Sequence, residues 1–179
     1  YITRGENMLV SFCVIAYNEE KALDSLFKDI IAQDYPHGNI EVILVNAMST
    51  DQTRRKMEHF SEEDHGFRRV VVLDNAKKIQ ASGWNVAITA SKGDIILRID
   101  AHTMIPHDFV SKNVQCILSG ENVTGGRRPN VVEEETPWKH TLLLAESSMF
   151  GSSIAPYRKG NHKTYVKSVF HGAYRKEVF

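Results

Sequence analysis

Ile95-Ile96-Leu97-Arg98-Ile99-Asp100-Ala101-His102 is a mostly apolar run that breaks off in an acid, a small residue and a histidine. Gly93-Asp94 precedes it and Pro106 follows it, so the run reads as a buried β-strand. Asp100 and His102 then stand at its carboxyl end. In open α/β sheets the ligand crevice lies outside the carboxyl ends of the strands. Two alternate residues there can turn an oxygen and a nitrogen donor onto one divalent ion. The competing reading of the tripeptide alone is a loop aspartate beside a solvated histidine.

Working outward, the same rhythm repeats. Leu9 to Ala16 is an apolar run that ends at Tyr17-Asn18-Glu19-Glu20. Ala22, Leu23, Leu26, Phe27, Ile30 and Ile31 then form one helical stripe, with the helix expected to stop near Tyr35-Pro36-His37-Gly38. Ile40 to Val45 is a second strand that delivers Asn46-Ala47-Met48 to the edge where Tyr17 stands. Ser49 and Gln52 have the spacing of a capping box for a second helix. Arg69 to Leu73 makes a third strand, and Ile79 through Ala90 a third helix interrupted by Gly83. After the opening strand, Pro106 is expected at the first position of a helix that carries Phe109, Val110, Val114 and Ile117. Beyond it, Val123 to Arg127 reads as a strand, Trp138 to Met149 as a helix and Gly151 to Lys167 as a polar surface loop. Alternating strands and helices imply an α/β fold with a mainly parallel sheet and helices on both faces.

The 179 residues suit one domain with a sizeable core, and 22 basic side chains balance 22 acidic ones. That balance gives no support for nucleic acid as a partner. Cys13 and Cys116 lie far apart in apolar runs and are expected to be buried thiols. No run is long enough to span a bilayer. Gly-x-Gly-x-x-Gly, the P-loop pattern and Gly-x-Ser-x-Gly are all missing, which removes the main support for a dinucleotide dehydrogenase, a P-loop phosphotransferase and a serine hydrolase. Left at the strand ends are Tyr17, Asn18, Glu19, Asn46, Asp100 and His102. An aromatic face with amide and carboxylate acceptors suits a nucleobase and ribose, and a carboxylate with a metal suits a pyrophosphate.

Val10 to Glu20, Glu41 to Thr53, Asn85 to Asp94 and Ile99 to His102 together resemble the nucleotide-binding half of family 2 glycosyltransferases. The likeness is nearest to bacterial members that build exopolysaccharides of the succinoglycan type. These carry Asp-Ala-His where the family more often has Asp-x-Asp, and later a segment like Val169 to Phe179. The resemblance implies a GT-A nucleotide-diphospho-sugar transferase fold. It implies one domain over 1–179, with a donor-nucleotide half at about 8–112 and an incomplete acceptor half at about 113–179. The implied activity is inverting transfer of a sugar, from a UDP-sugar by preference, to a saccharide or lipid-linked acceptor in cell-surface or exopolysaccharide synthesis.

On matching positions, Ala16, Tyr17, Glu19 and Asn46 would line the nucleoside pocket with Gln80 and Asn85 beside it. Asp100 and Ala101 would also be nucleotide-binding, Asp100 and His102 would hold Mg²⁺ or Mn²⁺ on the diphosphate, and His171-Gly172 would border the acceptor. The imidazole favours manganese. Asn46 stands where the family usually has an acid, so it brings a hydrogen-bonding group without charge. The catalytic base, a carboxylate in the family, is expected beyond Phe179, leaving this stretch able to bind nucleotide but not to turn over. The expected location is the cytoplasm at the inner face of the membrane, reached through segments outside this chain. A non-catalytic nucleotide-sugar sensor or assembly module is the alternative reading.

Overall fold

The computed structural model describes residues 8–126, 136–148, 164–166, 169 and 171–179. The chain divides into two compact units, Tyr1–Thr124 with His171–Phe179, and Gly125–Phe170. Strands β1 (Val10–Ala16), β2 (Ile40–Asn46), β3 (Arg69–Asp74), β4 (Ile95–Asp100), β5 (Val123–Gly125) and β6 (Gly172–Arg175) form one sheet in the order β3-β2-β1-β4-β6-β5. β1 pairs parallel with both β2 and β4, and β6 pairs antiparallel with β4. The order of connection reverses between β1 and β4, which makes that point the expected ligand crevice. The expected fold class holds, and β6 is a strand that the sequence pattern did not mark.

Because successive side chains on a strand point to opposite faces, the apolar runs feed two cores. On one face, Val10, Phe12, Val14 and their partners on β2 and β4 pack against helices α1 (Leu23–Ile31), α2 (Thr53–Glu62) and α4 (Phe109–Leu118). On the other, Cys13, Ile43, Val45 and Ile96 pack under Trp84 and Ala87 of helix α3 (Gln80–Ala90). Leu23, Leu26, Phe27 and Ile30 give α1 its buried stripe, each contributing about 1.5–3 kcal/mol. Gly83 lets α3 approach closely: a Cβ there would lie 3.0 Å from the Ile15 side chain. The second unit contains helix α5 (Pro137–Ser147), opened by Thr136, whose side chain accepts from the Lys139 N–H. Among the described residues no helix is long and apolar enough to cross a membrane.

At the amino edge of the sheet Glu41 is 1% exposed and fully engaged. The Ser11 hydroxyl, the Lys92 and Gly93 N–H groups and Arg69 Nε all donate to its carboxylate. Burial alone would raise its pKa, but these hydrogen bonds and the Arg69 charge hold it below the usual value. A Cβ on Gly93 would come within 2.7 Å of backbone atoms of Leu9 and Ser11, so only glycine fits beside this network.

Four local expectations are corrected. Helix α1 ends at Ile31, short of Tyr35, because Gln33 Nε2 donates to the Asp29 carbonyl and turns the chain there. Ser49 and Gln52 do not form a capping box: Ser49 Oγ accepts from the Asn18 N–H on the neighbouring loop, and Asp51 Oδ1 accepts from the Thr53 N–H that opens α2. Pro106 precedes α4 by a turn, its carbonyl accepting from Phe109 N–H and Gln33 Nε2. Cys13 is buried, with its thiol pushed up to about 12 by desolvation, whereas Cys116 is only partly buried. Arg127, Met149, Gly151 to Lys163 and Lys167 of the expected later elements lie outside the described residues.

Candidate donor site at the carboxyl edge of the sheet

The register sets the strand-end positions on two adjacent rungs. Ala16 lies opposite Asn46 and Asn46 opposite Asp74, so neighbours in that row are about one strand spacing of 4.8 Å apart, while Asp100 lies one rung earlier, opposite Ile15. Above that row, the loops after β1 and β2 are laced together. Asn18 N–H donates to Ser49 Oγ at 3.1 Å, and Thr50 N–H donates back to Asn18 Oδ1 at 2.8 Å. Glu19 N–H donates to Thr53 Oγ1 at 2.7 Å. Glu20 N–H donates to Asp51 Oδ2 at 3.2 Å, and Gln52 N–H donates to Glu20 Oε2 at 2.9 Å. These bonds fix backbone that would otherwise be free at two strand exits. Asn18 and Met48 both hold positive φ, 53° and 61°, a conformation that L-residues adopt only when their surroundings enforce it.

Tyr17 is 53% exposed at this edge, leaving its ring face open. Asn46 is different, being 2% exposed with both ends of its amide in use. Its Nδ2 donates to Asp74 Oδ1 at 3.1 Å and its Oδ1 accepts the Ser49 N–H at 3.0 Å. Asp74 is held in turn by Arg54, which together with the Asn46 amide keeps its carboxyl below the usual range. Asp51 is also lowered: burial opposes this, and hydrogen bonds from Thr53 and Glu20 outweigh it.

At the end of β4, Asp100 is partly buried and Ala101 buried, so Ala101 offers only its backbone. His102 is exposed and points Nδ1 at Glu19 Oε1, 3.2 Å away. The loop is braced from β6 as well. Asp100 N–H donates to His171 Nδ1 at 3.4 Å, which leaves the proton on Nε2 to donate to Thr103 Oγ1 at 2.9 Å. Gly172 begins β6 and is buried. Gln80 and Asn85 are exposed on α3, about 140° apart around the helix, so only Gln80, at its first turn, lies near the crevice edge.

Of the expected residues, the fold thus gathers Ala16, Tyr17, Glu19, Asn46, Asp100, Ala101, His102 and His171 and sets Asn85 apart. Asp74, Arg54 and Thr103 are additional members. Their only signal in the sequence was a concentration of turn-type and cap-type residues just after each strand.

Among the described residues no three His, Cys, Asp or Glu side chains converge on a metal position. The two residues that the sequence suggests for an ion, Asp100 and His102, offer one carboxylate and one imidazole. That donor set fits magnesium or manganese, which keep most of their coordination for phosphate oxygens and water.

A model described as glycosyl transferase family 2 matches residues 11–179. The succinoglycan biosynthesis protein ExoA of Rhizobium meliloti (strain 1021) is 27% identical, the match covering 99% of this chain and 52% of that protein. A dolichyl N-acetyl-alpha-D-glucosaminyl phosphate 3-beta-D-2,3-diacetamido-2,3-dideoxy-beta-D-glucuronosyltransferase of Methanococcus voltae is also 27% identical, over 59% of this chain and 33% of its own. The chain thus spans between a third and about half the length of these curated relatives. Among solved structures, residues 1–349 of Staphylococcus aureus TarS superpose with a TM-score of 0.70 at 21% identity, over 96% of this chain and 48% of that one. The mannosyltransferase PcManGT of Pyrobaculum calidifontis, in complex with GDP-Man and Mn²⁺, gives 0.63 at 23%, over 79% and 40%. At such identities the structural likeness speaks for the fold.

Proposed function

The chain belongs to glycosyl transferase family 2, and on that footing we propose that it carries the donor site of an inverting glycosyltransferase. The enzyme moves a sugar from a nucleotide-diphospho-sugar, with UDP as the preferred nucleotide, to a saccharide or lipid-linked acceptor. The observation that carries this reading is that Ala16, Asn46 and Asp100 end three neighbouring strands on adjacent rungs around the β1–β4 switch point, beneath two loops already tied to each other. The dolichyl-linked saccharide in the name of the Methanococcus voltae relative favours a lipid-linked acceptor. The likeness to a succinoglycan biosynthesis protein favours exopolysaccharide synthesis, and in this reading the work is done at the cytoplasmic face of a membrane. In the same reading, residues from about 8 to 112 form the donor half, and 113–179 belong to the acceptor half.

Each residue has a role set by its chemistry. Tyr17 offers a ring face to the nucleobase, and the buried Asn46 amide, tied to Asp74 and to the Ser49 N–H, holds the pocket wall beside it in place. Asp100 and His102 would hold Mg²⁺ or Mn²⁺, and such an ion neutralises charge on the departing nucleoside diphosphate. The interlaced loops keep these groups in place before any ligand arrives. Calorimetric titration of UDP and GDP, with and without Mn²⁺, tests the reading. UDP should bind more tightly with Mn²⁺ to the wild-type chain, and Asp100→Asn should abolish that gain. Nucleotide binding indifferent to both metal and substitution would remove the mechanism.

A further inference from the structure

The two expected metal ligands are unequal. Asp100 ends a strand and its backbone is tied to His171, whereas His102 sits on the following turn with its side chain 64% exposed. An imidazole so placed would ordinarily sample several rotamers and both neutral tautomers. Glu19 restricts it. Its Oε1 lies 3.2 Å from His102 Nδ1, and a carboxylate can only accept. The neutral ring therefore keeps its single N–H on Nδ1, and the Nε2 lone pair is left as the ligating atom.

Glu19 is itself held. Its N–H donates to Thr53 Oγ1, and its side chain is 27% exposed, so the contact is shielded better than an ion pair on open surface. The partners are 83 residues apart and meet because β1 and β4 are neighbours at the switch point.

We propose that Glu19 is a positioning residue of the divalent-cation site, fixing the tautomer and ring plane of His102 rather than contacting the nucleotide. A carboxylate behind a ligating imidazole raises its basicity and orients it, and loss of such a partner typically weakens metal binding about 10–100-fold. The inference rests on the donor-site reading above and is testable separately from it.

The measurement is Mn²⁺ bound by the chain in saturating UDP, followed by the electron paramagnetic resonance of free Mn²⁺, beside UDP affinity in EDTA. Glu19→Ala should weaken Mn²⁺ about 10–100-fold and leave metal-free UDP affinity unchanged. Glu19→Gln should recover most of the loss, because its amide oxygen accepts the same N–H and the variant controls for folding. In a His102→Ala background, Glu19→Ala should cost nothing more. Equal Mn²⁺ affinity in wild type and Glu19→Ala overturns the inference, as does an additive loss in the His102→Ala background. A fall in metal-free UDP affinity with Mn²⁺ coupling intact also overturns it and returns Glu19 to the nucleoside pocket. Failure of the wild type to bind Mn²⁺ with UDP overturns the donor-site reading and this inference together.

Discussion

Glu41, near the amino end of β2, and Asp100, at the carboxyl end of β4, are carboxylates on strands whose other side chains are almost all buried, yet their surroundings are opposite. Glu41 receives a hydroxyl, two backbone N–H groups and a guanidinium, all from within the chain. Among the described residues no hydrogen bond or ion pair reaches the Asp100 carboxylate, although its backbone is pinned. Buried polar groups in native proteins are satisfied, so an acid with every acceptor filled belongs to the scaffold. One left open at a switch point is available to a ligand. The amino edge is therefore the closed end of the sheet and the carboxyl edge the open one.

The hardest test of that contrast is to break the closed end. Glu41→Ala strands Arg69, Ser11 and two N–H groups and should cost about 3–5 kcal/mol in urea unfolding, while the folded fraction keeps its UDP affinity. A matching loss of nucleotide binding per folded molecule would show that the two edges are coupled. The pH dependence has a definite sign. Because the folded pKa of Glu41 lies below its ordinary value of 4.5, its contribution is full above that pH and drains away as pH falls through the folded value. Glu41→Gln should flatten this acid limb.

A smaller effect is expected at the open end. His171→Ala removes two hydrogen bonds from the turn after β4, so unfolding free energy should drop by about 1–2 kcal/mol. Mn²⁺-dependent UDP affinity should fall with metal-free affinity unchanged. A stability loss with intact metal coupling would make His171 part of the scaffold and blur the contrast. The smallest effect belongs to Arg54→Ala. Its pair with Asp74 is nearly half exposed on both sides, so solvent leaves it worth under about 1 kcal/mol. UDP affinity should change only a few-fold, through loosening of the Asn46 amide. A larger loss would mean that Asp74 meets the base directly.

The central strands were legible because β1, β2 and β4 are buried on both faces and so read as unbroken apolar runs. Helix interiors were legible for the matching reason, a single buried stripe. Helix ends were not: Ser49, which looks like a local cap, accepts from the neighbouring loop instead, and α1 ends where the Gln33 side chain donates back to the Asp29 carbonyl. β6 escaped notice because four residues carry too short a pattern, and their partner strand lies more than 70 residues earlier. At the site, residue types were readable and pairings were not. The resemblance put Glu19 beside the nucleoside and His102 on the metal, and only the fold brings the two side chains into contact.

The lacing of Asn18, Glu19 and Glu20 to the 49–53 loop has a consequence for the thermodynamics of recognition. Fixing a residue's backbone costs about 1–2 kcal/mol of conformational entropy. Here that cost falls on folding, and the left-handed geometry of Asn18 and Met48 is settled at the same moment. A nucleotide entering the crevice meets loops that are already ordered, so little of its contact energy is diverted into arranging them. Binding should then proceed close to lock-and-key. Its heat capacity change should match the surface the ligand itself covers, without the excess that accompanies coupled folding.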